Sequence, residues 1–525
     1  METIVVPVDG ASNIKLEVFD FDSLSTVFSC MTDTPVTEVD GLKYNCIGTE
    51  CSWFDSVIRE LPDRYKAVKA VAPVARGASG GLVGPDNSFV EVPGEELILA
   101  YTQEYPEVVD NAFKMLAGSE QDFFLETGSV RDFPGSLTLI KRFLFEEMVR
   151  PEVLGRAQCF GTFGVLLSGH FLGDDYTGAV LVAGNEHSYW MCHAGARNIA
   201  EPPGTPSSLS TKIMSFRELV PHEPYRVYKP IGNMPHEQAL SLGLHGDPLV
   251  IPGGHDTCLS HIPVLSTFYH AFRDRAGMPV IHVDAGSWTM VAQIGGKVEL
   301  PPDGYRRDII VQGTVDGYPV VTARYGGGND FRYIKELMED RGCSFGSDCN
   351  ERLLEEVVNA AECFILPNSN PVNHLTGPFP GITGKIINEQ SFFSNPQKAF
   401  IITNLTTAIT TACQIDAIAK KTDFPIVLTA GGSRDPYFGR LIRTLTGRNV
   451  YSLFDSDDTT ISETTSLGAA ITGKAAYLGI HPGEIDVSCL GVTYHELKPF
   501  SDEIKRKLNR YRERFMEEIK KKSVA

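Results

Sequence analysis

Pro7-Val8-Asp9-Gly10-Ala11-Ser12 ends an apolar run that begins at Thr3, and how it is read decides the fold. Thr3 to Val8 has the composition of a buried strand. Asp9 to Asn13 is a run of small and polar residues that turns the chain. Beyond it, Ile14, Leu16 and Val18 alternate with Lys15, Glu17 and Phe19, as a return strand does. The reading is a hairpin with a small-residue tip. Gly10 lets a ligand approach the backbone, Ser12 and Asn13 add donors, and successive N–H groups at such a tip can cradle phosphate oxygens. Asp9 has the chemistry to hold Mg2+ or its waters. Asp-Gly is also the commonest signal of an ordinary hairpin turn.

The pattern returns about half a chain later as His282-Val283-Asp284-Ala285-Gly286-Ser287. Val280 to Val283 is the incoming strand and Thr289 to Ile294 the outgoing one. A repeated supersecondary unit implies two similar domains. Two such tips, with Gly286 and Ser287 on the second, could clamp the phosphates of one nucleotide across a cleft.

Two further stretches carry chemistry. In Pro248 to His261 a short apolar run, Leu249 to Ile251, is broken by Pro252-Gly253-Gly254 and followed by His255 and Asp256. A carboxylate at a strand's C-terminal end beside glycines is well placed as a general base. The same Asp256 could simply cap the helix that starts near Thr257. Later, Phe424 to Ala430 reads as a strand running into Gly431-Gly432-Ser433-Arg434-Asp435, with a helix from Tyr437 to Thr446. Glycines opening a helix offer unpaired N–H groups and the positive end of its dipole.

The remaining chain supplies scaffold. Ala67 to Ala75 reads as a buried strand leading into the loop Arg76 to Gly81. Glu95 to Leu116 and Leu137 to Met148 read as helices, and Glu463 begins an apolar helix through Leu478. The tail, Ser501 to Lys522, has an apolar stripe at Ile504, Leu508, Tyr511, Phe515 and Ile519, with Ser501 as its cap.

At 525 residues the chain exceeds what one core supports. A formal charge of -19 argues against nucleic acid as the main partner, because phosphates need a basic face. No apolar run is long enough to cross a membrane. Met1 to Asp9 lacks the basic start of a signal peptide, and the 11 cysteines make no metal-binding or disulfide framework. The expectation is a cytoplasmic protein with reduced thiols.

Taken in order, Asp-Gly-Ala-Ser at the start, Gly-Gly-His-Asp-Thr near the middle, Asp-Ala-Gly-Ser-Trp soon after, then Ala-Gly-Gly-Ser-Arg-Asp-Pro and Ser-Leu-Gly-Ala-Ala resemble the FGGY carbohydrate kinases over nearly the whole chain. The resemblance implies an α/β fold of two ribonuclease-H-like, actin-like ATPase domains with a cleft between them. The expected boundaries are 1–275 for sugar binding and the base, 276–495 for ATP, and 496–525 for a helical tail. It implies transfer of the γ-phosphate of ATP, with Mg2+, to a ketose or polyol. Asp256 would be the base and Asp9 the residue near Mg2+. Gly10, Ser12, Gly286, Ser287, Gly431, Gly432 and Ser433 would meet the nucleotide. Arg76, Ser79, His187, Ser188 and His255, with Asp256, are candidate sugar contacts by position. A homodimer is compatible with this reading.

His-Asp-Thr and Gly-Ser-Trp look most like the rhamnulokinase and fuculokinase branch. The chain departs from the family at Ala11, where a Thr is usual, and at Ser287, often Thr. A Trp-x-x-x-Arg-like sugar segment is missing. Two other classes remain open. One is an actin-like ATPase whose output is movement or assembly. The other is a catalytically silent sugar- or nucleotide-binding regulator, which Ala11 favours and Asp256 opposes.

Overall fold

A computed structural model describes the chain except residues 11, 78, 132–138, 184–206, 222–225, 272–278, 297–298, 316–318, 347–349, 372–375, 420–421, 455–463, 492 and 524–525. It divides into two compact units, one of residues 1–274, 311–319 and 463–491, the other of 275–310, 320–462 and 492–525.

The first unit is built on the opening hairpin. Glu2–Asp9 pairs antiparallel with Asn13–Asp20, in register from Thr3 opposite Asp20 to Asp9 opposite Ile14. Asn13–Asp20 pairs antiparallel with Thr26–Asp33. On its other side Glu2–Asp9 runs parallel to Ala67–Val71, and that strand runs parallel to Leu249–Val250. Ile4 and Val5 point to opposite faces and are both buried, so helices cover the sheet on both sides. Val5, Ile14, Leu16 and Val18 share a core with Phe54 and Ile58 of helix Ile47–Glu60 and with Leu167 of helix Phe163–His170. On Ile4's side lies helix Thr464–Leu478, which approaches through Gly473, where an added Cβ would sit 3.2 Å from Ile4. Gly468 lets the same helix lie against Leu259 of helix Asp256–Ala271.

The second unit repeats this order. Val280–Ala285 pairs antiparallel with Thr289–Ile294, which pairs antiparallel with Pro319–Tyr325. Val280–Ala285 runs parallel to Ile426–Thr429, which runs parallel to Val450–Phe454. In both units three antiparallel strands, the first two a hairpin, are extended from the first strand by two parallel strands. This is the two-domain α/β architecture expected from the repeated hairpin.

The sequence reading fails locally in four places. Residues 95–116 are not one helix. Ile98–Leu99 is a strand, held by the Glu91 carboxylate accepting from Leu99 N, and the helix is Glu107–Ala117, starting after Pro106. Residues 67–75 form two strands, Ala67–Val71 and Val74–Ala75, broken at Pro73, which lacks an N–H for the ladder. Residues 463–491, expected in the C-terminal domain, pack with the first unit because small residues let their helix reach its sheet. The tail is no separate domain. Asp502–Ser523 is anchored in the second unit by its buried stripe and by Tyr511, whose hydroxyl donates to Cys363 O.

Candidate active site

In the first unit, Val74–Ala75 lies between two parallel neighbours. Asp9 of the first strand is opposite Ala75 on one side, and His255 of Gly254–His255 is opposite Ala75 on the other. Parallel strands end together, so Asp9, Arg76 and Asp256, far apart in sequence, emerge at one sheet end. Ligands of open α/β sheets bind at such ends.

Asp256 is the first residue of helix Asp256–Ala271. Its Oδ1 accepts from Thr257 N at 2.6 Å, from Thr257 Oγ1 at 3.2 Å, and from His255 Nε2 at 2.9 Å. The cap and base readings are therefore not exclusive. Every hydrogen bond to this carboxylate falls on Oδ1, and Oδ2 has none among the described residues. The side chain is 43% exposed while that of His255 is 9% exposed. Desolvation raises the Asp256 pKa, but the His255 charge and the Thr257 hydrogen bonds more than offset this and hold it below the usual carboxylate value. Burial works against the charged form of His255, and Asp256 and then Cys258 carry its pKa well above the ordinary imidazole value. The result is an ionised carboxylate with one oxygen fixed and the other open.

Asp9 is differently placed. It is fully buried, and its two oxygens accept from Arg76 Nε at 3.0 Å and Nη2 at 2.6 Å. Arg76 N also donates to Asp9 O. Glu50, buried in helix Ile47–Glu60, brings Oε1 to 3.7 Å from Arg76 Nη2. Burial pushes Asp9 up to about 6 against the pull of Arg76. Burial, then the Asp9 charge, pushes Glu50 up to about 9. With both oxygens engaged by a guanidinium, Asp9 does not fit a direct metal ligand. No group of three or more His, Cys, Asp or Glu that could hold a metal occurs among the described residues.

Arg76, read from sequence as a sugar contact, is 6% exposed and bound to Asp9. Ser79 is buried, with its carbonyl accepting from Phe163 N. Gly10 N donates to Asn13 O and Thr34 Oγ1 to Gly10 O, closing the first tip, while Ser12 is exposed. Ala11, His187 and Ser188 lie outside the described residues.

In the second unit the hairpin tip opens on a pocket of about 340 Å³. Gly286, Ser287, Gly431 and Gly432 line it together, as the sequence suggested. Ser433 does not line it, and its hydroxyl turns back to Ala430 O. The pocket also takes Gly327 and Gly328, which open helix Gly327–Glu339, and Phe331 and Arg332 from its first turns. Asn404 and Thr407 come from helix Pro396–Ala419, and Phe438 from helix Pro436–Thr446. These were missed. The signal was Tyr325-Gly-Gly-Gly-Asn329, a glycine run between a strand and a helix.

The walls are close. A Cβ on Gly328 would lie 2.0 Å from Gly286 O, and one on Gly432 2.5 Å from Ala285 Cβ. Arg332 Nη2 donates to Ser287 Oγ at 3.1 Å, and Asn329 N to Ser287 O at 3.0 Å. The helix's free N–H groups and dipole at Gly327–Gly328 suit an anion, and Phe331 and Phe438 offer apolar faces to a ring. Volume, glycine cradle, helix start and arginine together fit a nucleotide.

Residues 278–478 match the family model described as carbohydrate kinase FGGY, C-terminal domain. No curated protein matches the sequence. The fold is similar to that of a carbohydrate kinase from Novosphingobium aromaticivorans, with TM-score 0.74, 19% identity and 99% of each chain covered. It is also similar to a ligand-bound xylulose kinase from Lactobacillus acidophilus, with TM-score 0.72 and 13% identity over 98% of this chain and 97% of that one. A Plasmodium falciparum glycerol kinase with ADP matches with TM-score 0.70 and 13% identity, again over 98% and 97%. At these identities the likeness is one of fold.

Proposed function

We propose that the chain is an FGGY carbohydrate kinase, a phosphotransferase acting on an alcohol group, and that it transfers the γ-phosphate of ATP to a ketose or polyol hydroxyl with Asp256 as general base; the match of residues 278–478 to the C-terminal domain model of that family supports this. The observation that carries the base assignment is the division of labour on the Asp256 carboxylate. Oδ1 is fixed by His255 and Thr257, and Oδ2 is open to take a proton from the acceptor hydroxyl. Phosphoryl transfer asks little of a base beyond orientation, so an ionised carboxylate with a low pKa is adequate.

The donor half is the second-unit pocket. The N–H groups at Gly327–Gly328 and the hydroxyl of Ser287 would hold phosphates, Arg332 would balance their charge, and Phe331 and Phe438 would flank the base. Bound ATP supplies the transferred phosphoryl group. Mg2+ would reach the site with the nucleotide, its shell mostly water and phosphate oxygen, rather than through Asp9. The His-Asp-Thr and Gly-Ser-Trp motifs favour a deoxyketose of the rhamnulose or fuculose type.

The test is ATP turnover with Mg2+ against rhamnulose, fuculose, xylulose, ribulose, erythritol and glycerol, with a no-sugar control. Stimulation by one acceptor is expected. Asp256→Asn should then lower turnover by about 10²–10⁴-fold with ATP binding retained. Near-normal turnover in that variant would remove Asp256 from the base role. ATP hydrolysis indifferent to every acceptor would favour an actin-like ATPase instead, and nucleotide binding without turnover a regulator.

A further inference from the structure

His255 is placed with more care than a sugar contact requires. It sits at the end of a two-residue strand, opposite Ala75, and is 8% exposed. One ring nitrogen, Nε2, is 2.9 Å from Asp256 Oδ1, and the other, Nδ1, faces Cys258 Sγ at 3.7 Å. The loop after Arg76 lies directly on the ring, and a Cβ on Gly77 would be 2.4 Å from Nε2. Glycine is therefore needed at a residue that itself offers no chemistry.

We propose that His255 is the positioning residue of the acceptor half-site, its ring Nε2 fixing Oδ1 of Asp256 so that Oδ2 is the oxygen presented to the substrate hydroxyl, and that Gly77 and Cys258 hold the ring in that pose. This rests on Asp256 being the base. Thr257 alone could cap the carboxylate through N and Oγ1, but both donors sit on the helix that carries Asp256. His255, tied to the sheet through Ala75, anchors the carboxylate to the strand ends where Asp9 and Arg76 also emerge.

The charges around the ring agree with this role. On the helix that follows it, Asp256 and Cys258 favour the imidazolium. His261 is pushed down to about 3 by burial and then by the His255 charge, and so stays neutral. From neighbouring elements, Asp9 and Tyr101 both feel the Asp256 charge, and Arg76, next to Gly77, is neutralised by Asp9. The His255 charge therefore has Asp256 as its counter-ion.

Two measurements on the full chain test this. In the first, histidine-labelled protein is titrated by NMR, with the His255 signal assigned by its loss in His255→Gln. That ring should remain protonated through neutrality, and Asp256→Asn should bring its titration down. A His255 ring that titrates at the ordinary value, unmoved by Asp256→Asn, overturns the proposal without reference to activity.

The second uses Mg·ATP and the acceptor identified by the panel. His255→Leu should lower kcat by up to about 10²-fold with KM for ATP little changed, as expected for a misplaced group. His255→Gln, which keeps an N–H donor, should restore much of it. Both variants should move the acid limb of the kcat profile upward, because the charge that depresses Asp256 is gone. Wild-type kcat and acid limb in His255→Leu would overturn the proposal. Thermal melting of His255→Gln shows whether the fold is intact. If Asp256→Asn remains active, the function reading fails instead, and the NMR result still stands or falls alone.

Discussion

The two hairpins share their topology and part company at one register position. In the first unit Asp9 is opposite Ala75, and the next residue is Arg76. In the second, Asp284 is opposite Thr429, and the next residue is Ala430. The guanidinium of Arg76 donates to both oxygens of Asp9 at the start of the first tip, whereas the second tip adjoins a pocket of about 340 Å³. Asp9 is fully buried, and Asp284 is half-buried. The same backbone unit thus carries a buried ion pair in one place and borders an open pocket in the other. The side chain after the neighbouring parallel strand makes the difference.

The largest effect should come from breaking the ion pair. Arg76→Ala gives the first tip the residue found at the second and leaves Asp9 buried without its counter-ion. A loss of about 3–5 kcal/mol is expected in denaturant unfolding. A variant within about 1 kcal/mol of the parent would mean that water or a rearranged Glu50 replaces the guanidinium, and that the two tips differ less than they look.

Next comes the wall of the second tip. Gly328→Ala places a methyl against Gly286 O and should force the helix start away from the hairpin. The expected change is about 1–3 kcal/mol, read as weaker binding of a fluorescent ATP analogue, with first-unit variants as controls. Unchanged nucleotide binding would detach the pocket from the donor role. Ser287→Ala is milder. It removes one hydrogen bond from Arg332 and one phosphate donor, about 0.5–1.5 kcal/mol in the same assay.

The last effect is read in the pH dependence rather than at one pH and concerns His170, which bridges Asp174 through Nδ1 at 2.8 Å and Asp55 through Nε2 at 3.0 Å. Burial opposes its charge, but these hydrogen bonds and charges raise its pKa from 6.5 to about 9. The folded value lies above the unfolded one. Its stabilisation is therefore complete below pH 6.5 and is lost as pH rises through about 9. Thermal melts from pH 6 to 9.5 should show a decline that His170→Gln flattens. An equal slope in both proteins would assign the decline elsewhere, for example to Glu50 beside Asp9.

Several parts of this protein were legible without coordinates because they depend on local pattern. Alternation around Asp9 and Asp284 specifies hairpins, since a period of two puts one face in the core. The Gly-Gly pairs mark close approach, and Gly286, Gly431 and Gly432 do meet in one pocket. The stripe of the tail marks a helix and its buried face. Ser433, by contrast, belonged to the right motif but points the wrong way, because one turn of helix rotates it back to Ala430 O.

What sequence alone determined is the pair of repeated units and the residue types at their tips, because strand alternation and glycine geometry are short-range. The partnerships were decided by the tertiary structure. Arg76 pairs with Asp9, Glu50 joins them from a helix, and Gly327, Gly328 and Arg332 complete a pocket from a third segment. Each follows from parallel strands ending together and from burial, which fixes whether a charge must find a partner. Neither property is contained in any one stretch of the chain.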